Sequence, residues 1–317
     1  NWGVFTYLLS LPVRGGIVLE YKRLGKSDLE ASIVGLGTAF RRGISQDSVE
    51  IVRRALDLGV NLIDTAEIYQ EGRSEEEMGK AIRGRRKDAI IVTKVSGEHL
   101  RYDDVLKAAE GSLRRLRIGT IDLYLVHWPN PNVPLKETMG AMETLVREGK
   151  VRYIGVSNFN VPQMREAQEA LTRSELIANQ VEYNIIKRDI EDEILPYCRR
   201  EGIGIIAYSP LARGLLTGDY KAEVEIPAGH WRSKDALFRG ESIAKNLKLV
   251  EALREIGAHR GKTAGQVALN WLVSKPEVFA LFGASSVRQV EENCGAVGWR
   301  LTEEELNRIE SIVKMGD

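Results

Sequence analysis

The chain predicts a (β/α)8 TIM barrel, on three observations. First, segments that look unlike one another share one unit. "IVRRALDLGVNLID", "METLVREGKVRYIGVSN" and "LPYCRREGIGIIAYS" each run from an amphipathic helix through a glycine (Gly59, Gly149, Gly202) into an apolar run. A glycine there suits the left-handed residue that ends a helix, and the short apolar run suits a strand buried on both faces. Second, the unit recurs until eight strands alternate with helices, which implies a parallel sheet with right-handed crossovers. Third, the chain carries no G-x-G-x-x-G between its first strand and helix, where "GLGTAF" stands instead. A doubly wound nucleotide fold would show that fingerprint, so a closed barrel is the better solution.

The strands fall at 32–38 ("SIVGLGT"), 61–64, 89–94 ("AIIVTK"), 121–127 ("IDLYLVH"), 151–158, 176–180, 203–209 and 278–283. Helical periodicity separates them at 74–84, 102–116, 135–148, 161–171, 190–200 and 262–274, with a closing helix at "EEELNRIESIVKM". No linker or composition shift divides residues 19–317, which read as a single domain. Residues 1–18 read as an N-terminal extension outside the fold core. The longest non-periodic stretch is 212–240, and a loop of that length in a compact domain is often functional.

Composition narrows the function. The 317 residues are 43% hydrophobic and 28% charged, as in a soluble globular protein, and 45 basic residues balance 45 acidic ones. With no basic surplus, neither nucleic acid nor an anionic membrane is expected as a partner. Cys198 and Cys294 share no metal-ligand spacing with each other or with the four histidines, so no metal site is expected. "VFTYLLSLP" (4–12) is a short apolar run without a basic region ahead of it, and no stretch reaches the ~20 apolar residues of a membrane span. A reducing, cytoplasmic setting is expected.

In a TIM barrel the active site lies at the C-terminal ends of the strands. The residues that finish the apolar runs here are Thr38, Asp64, Lys94, His127, Ser157 with Asn158, Gln180, Tyr208 with Ser209, and Gly283. A free phenol, with a pKa of about 10, is a poor proton donor near neutrality. A nearby ammonium stabilises the phenolate, a carboxylate holds the ammonium, and a neutral imidazole binds a substrate oxygen. Asp64, Lys94, His127 and Tyr69, five residues beyond Asp64, supply such a group. Its natural use is to protonate an oxygen that becomes negative. Taken singly, Asp64 and Asn158 are as readily helix caps, Tyr69 and Tyr208 packing aromatics, Lys94 a solvated lysine and His127 a loop histidine.

"LIDTAEIYQEGRSEEEMGKAI", "IIVTK", "IDLYLVHWP", "IGVSNF" and "GASSVRQVEEN" resemble the signature segments of the aldo-keto reductase superfamily. The resemblance covers about residues 20 to 315. It implies the barrel with an N-terminal β-hairpin and extra C-terminal helices, and a catalytic tetrad of Asp64, Tyr69, Lys94 and His127. It implies NADP(H), with NAD(H) as the alternative, bound across the barrel mouth. Ser157, Asn158, Gln180 and Tyr208 would meet the nicotinamide, and Thr38, Asp64, Ser209 and Leu211 would also contact the cofactor. Gly283, Ala284, Ser285, Arg288, Gln289, Glu292 and Asn293 would meet the adenosine half, with Ser285 or Ser286 starting a helix. Arg213 and Arg232, in the long loop, would reach the pyrophosphate. Many relatives carry Lys and Arg where this chain has Gly283 and Gln289, which loosens the grip on a 2′-phosphate.

Phe40, His127 and Trp128, with His99 nearby, would line the substrate pocket, and Ala39 replaces a frequent tryptophan. The chain stops at Asp317, without the longer C-terminal loop of many relatives, which points to an open pocket. The expected activity is reversible reduction of an aldehyde or ketone by hydride transfer, with Tyr69 as general acid/base. Two alternatives stand beside it: a barrel aldolase with Lys94 as Schiff-base nucleophile, and a slow or non-catalytic subunit that senses the cofactor.

Overall fold

A computed structural model describes residues 9–12, 18–40, 43–219 and 235–314. Eight parallel strands close into a barrel in sequential order: β4 (Val34–Gly37), β5 (Leu62–Asp64), β6 (Ile90–Val95), β7 (Ile121–Val126), β8 (Val151–Ser157), β9 (Leu176–Glu182), β10 (Gly204–Tyr208) and β11 (Val278–Gly283), which returns to β4. Ahead of the barrel, β2 (Val18–Arg23) and β3 (Glu30–Ser32) form an antiparallel hairpin. Leu9–Pro12, inside the stretch read as an extension, adds β1 as an edge strand on β2.

The helices are α1 (Ser48–Asp57), α2 (Arg73–Ala81), α3 (Tyr102–Leu116), α4 (Leu135–Arg147), α5 (Val161–Ala170), α6 (Ile194–Glu201), α7 (Gly240–Ala258), α8 (Ala264–Val273), α9 (Val287–Cys294) and α10 (Glu303–Lys314). Gly59, Gly149 and Gly202 have φ of 86°, 72° and 65°, the left-handed geometry expected of them. The helix expected over 190–200 begins only at Ile194, because Asp189–Glu191 form a separate 3-10 turn. Helix α7 was not anticipated; it begins where the long non-periodic stretch ends.

Two apolar clusters fill the molecule. The larger lies between strands and helices, and α1 shows why it forms: Ile51, Val52, Ala55 and Leu56 recur at three- and four-residue spacing and are all buried. The smaller fills the barrel: Leu62, Ile90, Val92, Leu123, Leu125, Ala178, Ile206, Phe279 and Leu281, joined by Leu24, Leu29 and Ala31 from the hairpin region. The hairpin therefore plugs the N-terminal end. Strand side chains alternate between faces, so each inward series can be followed to the opposite end. Leu62 leads to Asp64, Ile90 and Val92 to Lys94, Leu123 and Leu125 to His127, Ala178 to Gln180, and Ile206 to Tyr208. The barrel is apolar from its base upward and turns polar in its last layer.

Candidate active site

Lys94 anchors that layer. Its Nζ donates to Asp64 Oδ1 at 2.7 Å, to the Thr65 carbonyl at 2.6 Å and to Tyr69 Oη at 3.4 Å. An ammonium has three hydrogens, and each has an acceptor. Burial alone would depress this lysine, but Asp64 and Tyr69 outweigh it and hold its pKa above the ordinary value. The charge is thus locked beneath the phenol, 4.8 Å from the Tyr69 ring centroid. A Schiff-base nucleophile needs a free lone pair facing its substrate. Lys94, fully buried and three times hydrogen-bonded, offers none.

Tyr69 packs edge-on against His127, with ring centroids 5.5 Å apart, and His127 lies 4.8 Å from Trp128. Burial, and secondarily the Lys94 charge, lowers the His127 pKa to about 3, so the imidazole is neutral at any physiological pH. Its Nδ1 is buried with no hydrogen-bond partner among the described residues. A proton there would be a stranded donor, which assigns the proton to Nε2.

A second chain of hydrogen bonds meets the first. Gln180 Nε2 donates to Asp64 Oδ2 at 2.8 Å, so both oxygens of the carboxylate are held, one by charge and one by an amide. Ser157 Oγ donates to the Gln180 carbonyl at 2.9 Å. Asn158 Nδ2 donates to the His127 carbonyl and to Ser157 Oγ, both at 3.1 Å, and Tyr208 Oη donates to Asn158 Oδ1 at 3.0 Å. The cap readings do not hold: α2 begins at Arg73, nine residues after Asp64, and α5 is capped by Asn160.

Asp64, Tyr69, His127, Trp128, Ser157, Asn158, Gln180 and Tyr208 border one cavity of about 830 Å3, with Lys94 buried behind them. Its lining includes Phe40, Asp64, Tyr69, His127 and Trp128 after the earlier strands, and Ser285, Gln289, Glu292 and Asn293 after the last strand. Comparison with known proteins bears on what such a cavity does. The Aldo/keto reductase family model matches residues 33–314. Aldo-keto reductase YhdN of Bacillus subtilis is 35% identical, over 93% of this chain and 94% of the relative. The structure of glycerol dehydrogenase AKR11B4 from Gluconobacter oxydans superposes with a TM-score of 0.86 at 33% identity, covering 93% of this chain and 95% of that one. An aldo/keto reductase from Klebsiella pneumoniae, solved with NADP and acetate, gives 0.74 at 34% identity, over 91% and 94%.

The chain belongs to the aldo/keto reductase family.

This aldo/keto reductase is an oxidoreductase, an NAD(P)H-dependent reductase by class. Most residues picked out in its sequence border the cavity: Ser157, Asn158, Gln180, Tyr208, Ser209, Leu211, Arg213, Gly283, Ala284, Ser285, Gln289, Glu292 and Asn293, besides Asp64, Tyr69, His127, Phe40 and Trp128. Four do not. Lys94 is fully buried behind Asp64 and Tyr69. Thr38 is fully buried, its hydroxyl donating to the Asp64 carbonyl at 2.9 Å and lying 2.9 Å from Ser74 Oγ. Thr38 therefore ties β4 to β5 from behind. Arg288 is exposed on the first turn of α9. His99 bonds Glu67 Oε1 at 3.0 Å, outside the cavity wall.

Arg213 reaches the cavity, but its guanidinium pairs with Asp235 and lies 3.8 Å from Glu182. Arg232 lies outside the described residues. Ser286, not Ser285, caps α9. Reading the sequence missed the small residues Gly43, Ser45 and Thr217 of the wall, which carry no pattern, and Gln70, which bonds the Phe40 carbonyl behind it. Among the described residues no His/Cys/Asp/Glu group could hold a metal, and no helix is long and apolar enough to cross a membrane.

Proposed function

We propose that this reductase interconverts aldehydes or ketones and alcohols with NADP(H), and that Tyr69 is its general acid/base. The observation that carries the reading is Lys94: a buried ammonium fixed between Asp64 and the Tyr69 hydroxyl, both of which border the cavity.

The residues present fit a dinucleotide. Gln180 spends its Nε2 on Asp64, which leaves its Oε1, without a partner among the described residues, to accept from a carboxamide NH2. At the far end, the Ser285 N–H and Oγ–H both donate to Gln289 Oε1, at 2.7 and 3.0 Å. Two convergent donors there suit a phosphate or ribose oxygen that takes the place of the Gln289 oxygen. Gln180, Ser157 and Asn158 would hold the nicotinamide end, Tyr208 would flank the ring, and Ser285, Gln289, Glu292 and Asn293 would hold the adenosine end. The bound cofactor supplies a hydride. The Klebsiella relative's NADP favours the phosphorylated form.

The chain's own groups do the rest. His127, neutral and protonated on Nε2, donates to the carbonyl oxygen and orients it without adding charge. As negative charge develops on that oxygen, Tyr69 Oη gives up its proton, and the Lys94 ammonium stabilises the phenolate left behind. Asp64 keeps Lys94 charged and aimed, and Gln180 keeps Asp64 aimed. Phe40 and Trp128 exclude water from one side of the carbonyl. Both cysteines are buried free thiols, in keeping with a reducing compartment.

The test is turnover of an aldehyde and ketone panel with NADPH and NADH in parallel, repeated with Tyr69→Phe. General acid catalysis contributes roughly 10²–10⁴-fold. The Phe variant should lose that much in kcat/KM and still bind NADPH as tightly as wild type. Wild-type rates from the Phe variant would overturn the role of Tyr69. Single-turnover behaviour across the whole panel would point to a cofactor-sensing subunit.

A further inference from the structure

Directly after Tyr69 the chain takes an unusual course. Gln70, Glu71 and Gly72 have φ of 51°, 60° and 85°, three consecutive left-handed residues of which only the last is glycine. Side chains with a Cβ are strained there, and such strain persists only where surrounding contacts over-determine it. Gly72 is pressed against Arg115: a Cβ would lie 2.8 Å from Arg115 Cδ. At Gln70 the contact is made by the side chain itself. Its Nε2 donates to the Phe40 carbonyl at 3.1 Å, with the Ala39 carbonyl at 3.4 Å.

Phe40 is strained too, with φ of 41°, and its carbonyl also accepts from the Gly43 N–H at 2.7 Å. Ala39 and Phe40 border the cavity on one side, and Tyr69 is bound to the other end of the same bridge. One amide therefore joins the loop after β4 to the residue following the phenol.

We propose that Gln70 is a positioning residue: its amide clamps the Phe40 loop to the Tyr69 turn and so sets the distance between the Phe40 wall and the proton donor. The inference rests on the reading of Tyr69 and Phe40 given above. A carbonyl compound large enough to touch Phe40 feels the clamp through its placement against Tyr69, whereas a small one does not. Glycine at position 70 would relieve the backbone strain while deleting the bridge. Stability and substrate selection should then move in opposite directions, which a merely structural residue would not produce.

The experiment compares wild type with Gln70→Gly and Gln70→Glu, using 4-nitrobenzaldehyde and propanal as substrates. Both variants should lose about tenfold in kcat/KM for 4-nitrobenzaldehyde, chiefly through kcat, since a misplacement of about 1 Å at a reacting centre can cost up to about 100-fold in the chemical step. Propanal should stay within about twofold, and the NADPH Kd, read by fluorescence, should not move. Gln70→Gly should melt at or above the wild-type temperature. Gln70→Glu should melt below it, because its carboxylate faces two carbonyl oxygens. Equal losses for both aldehydes with a lower Tm in Gln70→Gly, or no change for either aldehyde, would overturn the clamp. Failure of the wild type to reduce any aldehyde would instead overturn the reductase mechanism, so the two failures are told apart.

Discussion

The two ends of this barrel each bury a lysine, and the two lysines behave oppositely. Lys94, at the mouth, is fully buried against Asp64, and its pKa is held above the ordinary value despite burial. Lys22, at the base, is 4% exposed, and burial pushes it down to about 7; Glu277 and Glu20 pull upward, Arg300 downward. Its Nζ donates to the carbonyls of Val278 at 2.7 Å and Lys275 at 3.1 Å and sits 4.7 Å from the Phe279 ring centroid. Carbonyls and a ring solvate a cation, but they do not neutralise it as a carboxylate at 2.7 Å does. The difference teaches that burial alone does not decide a lysine's charge; the partner it is buried against does. The mouth keeps a fixed charge and lends it to Tyr69, whereas the base tolerates a lysine that gives up its proton.

Breaking the upper pair should have the largest effect. Lys94→Met leaves the Asp64 carboxylate buried and uncompensated, which costs about 3–5 kcal/mol, and it removes the cation beneath Tyr69. Reduction should fall at least as far as in Tyr69→Phe, and denaturant melts should show the lost stability. Changing Asp64 to Asn as well should recover much of the stability and none of the activity. A Lys94→Met protein as stable as wild type would mean that Asp64 carries no buried charge.

Gln180 sharpens the comparison within the mouth. Gln180→Met removes the donor to Asp64 Oδ2 together with the free acceptor Oε1. A hydrogen bond to a charged group is worth about 1.5–3 kcal/mol, so kcat/KM should fall about 10- to 100-fold, with weaker NADPH binding. The pH profile of kcat under saturating NADPH should shift as well, since Lys94 is then less firmly paired. Weaker binding with an unchanged profile would confine Gln180 to the cofactor.

At the base, the sign of the effect depends on pH. Lys22 titrates near 7 in the folded chain and near 10.5 in the unfolded one. Between those values the unfolded chain binds more protons, so stability rises with pH, by up to about 1.4 kcal/mol per unit. Lys22→Met should lose that slope, so the variant compares better with wild type at pH 6 than at pH 9. Its activity should be unchanged at both. Parallel stability curves for the two proteins between pH 6 and 10 would show that Lys22 stays charged in the fold.

The two ends also differed in how much of them could be read from sequence. The mouth was legible because alternation is strict: in "AIIVTK" the inward positions are Ile90, Val92 and Lys94, so a lysine ending that series faces the barrel axis wherever the helices lie. The same rule placed Asp64, His127, Gln180 and Tyr208. What it cannot supply is contact between strands far apart in the chain. The bond from Gln180 to Asp64 spans 116 residues, and the assignment of Thr38 to the cavity failed because its hydroxyl turns to the Asp64 carbonyl. Gln70 left no signal, since left-handed turns are announced by glycine or asparagine. Lys22 was equally silent, since only the hairpin's place under the barrel buries it.

The smallest change in structure that separates the two ends is one added methyl group at each. A Cβ on Gly97 would lie 2.0 Å from Trp128 Nε1, so Gly97→Ala must displace the indole that borders the pocket beside His127. The wall can move into the open cavity, so stability should change little, while KM for an aromatic aldehyde rises severalfold and kcat stays close to wild type. A Cβ on Gly204 would lie 2.7 Å from Leu24 Cδ1 and 3.2 Å from the Gly25 nitrogen, under the hairpin. There the neighbours are packed and have no open side, so Gly204→Ala should cost about 1–3 kcal/mol of stability and leave KM unchanged. If Gly204→Ala altered KM, or Gly97→Ala lowered Tm without touching KM, the division between a sealed base that holds the fold and a mouth that selects the substrate would be wrong.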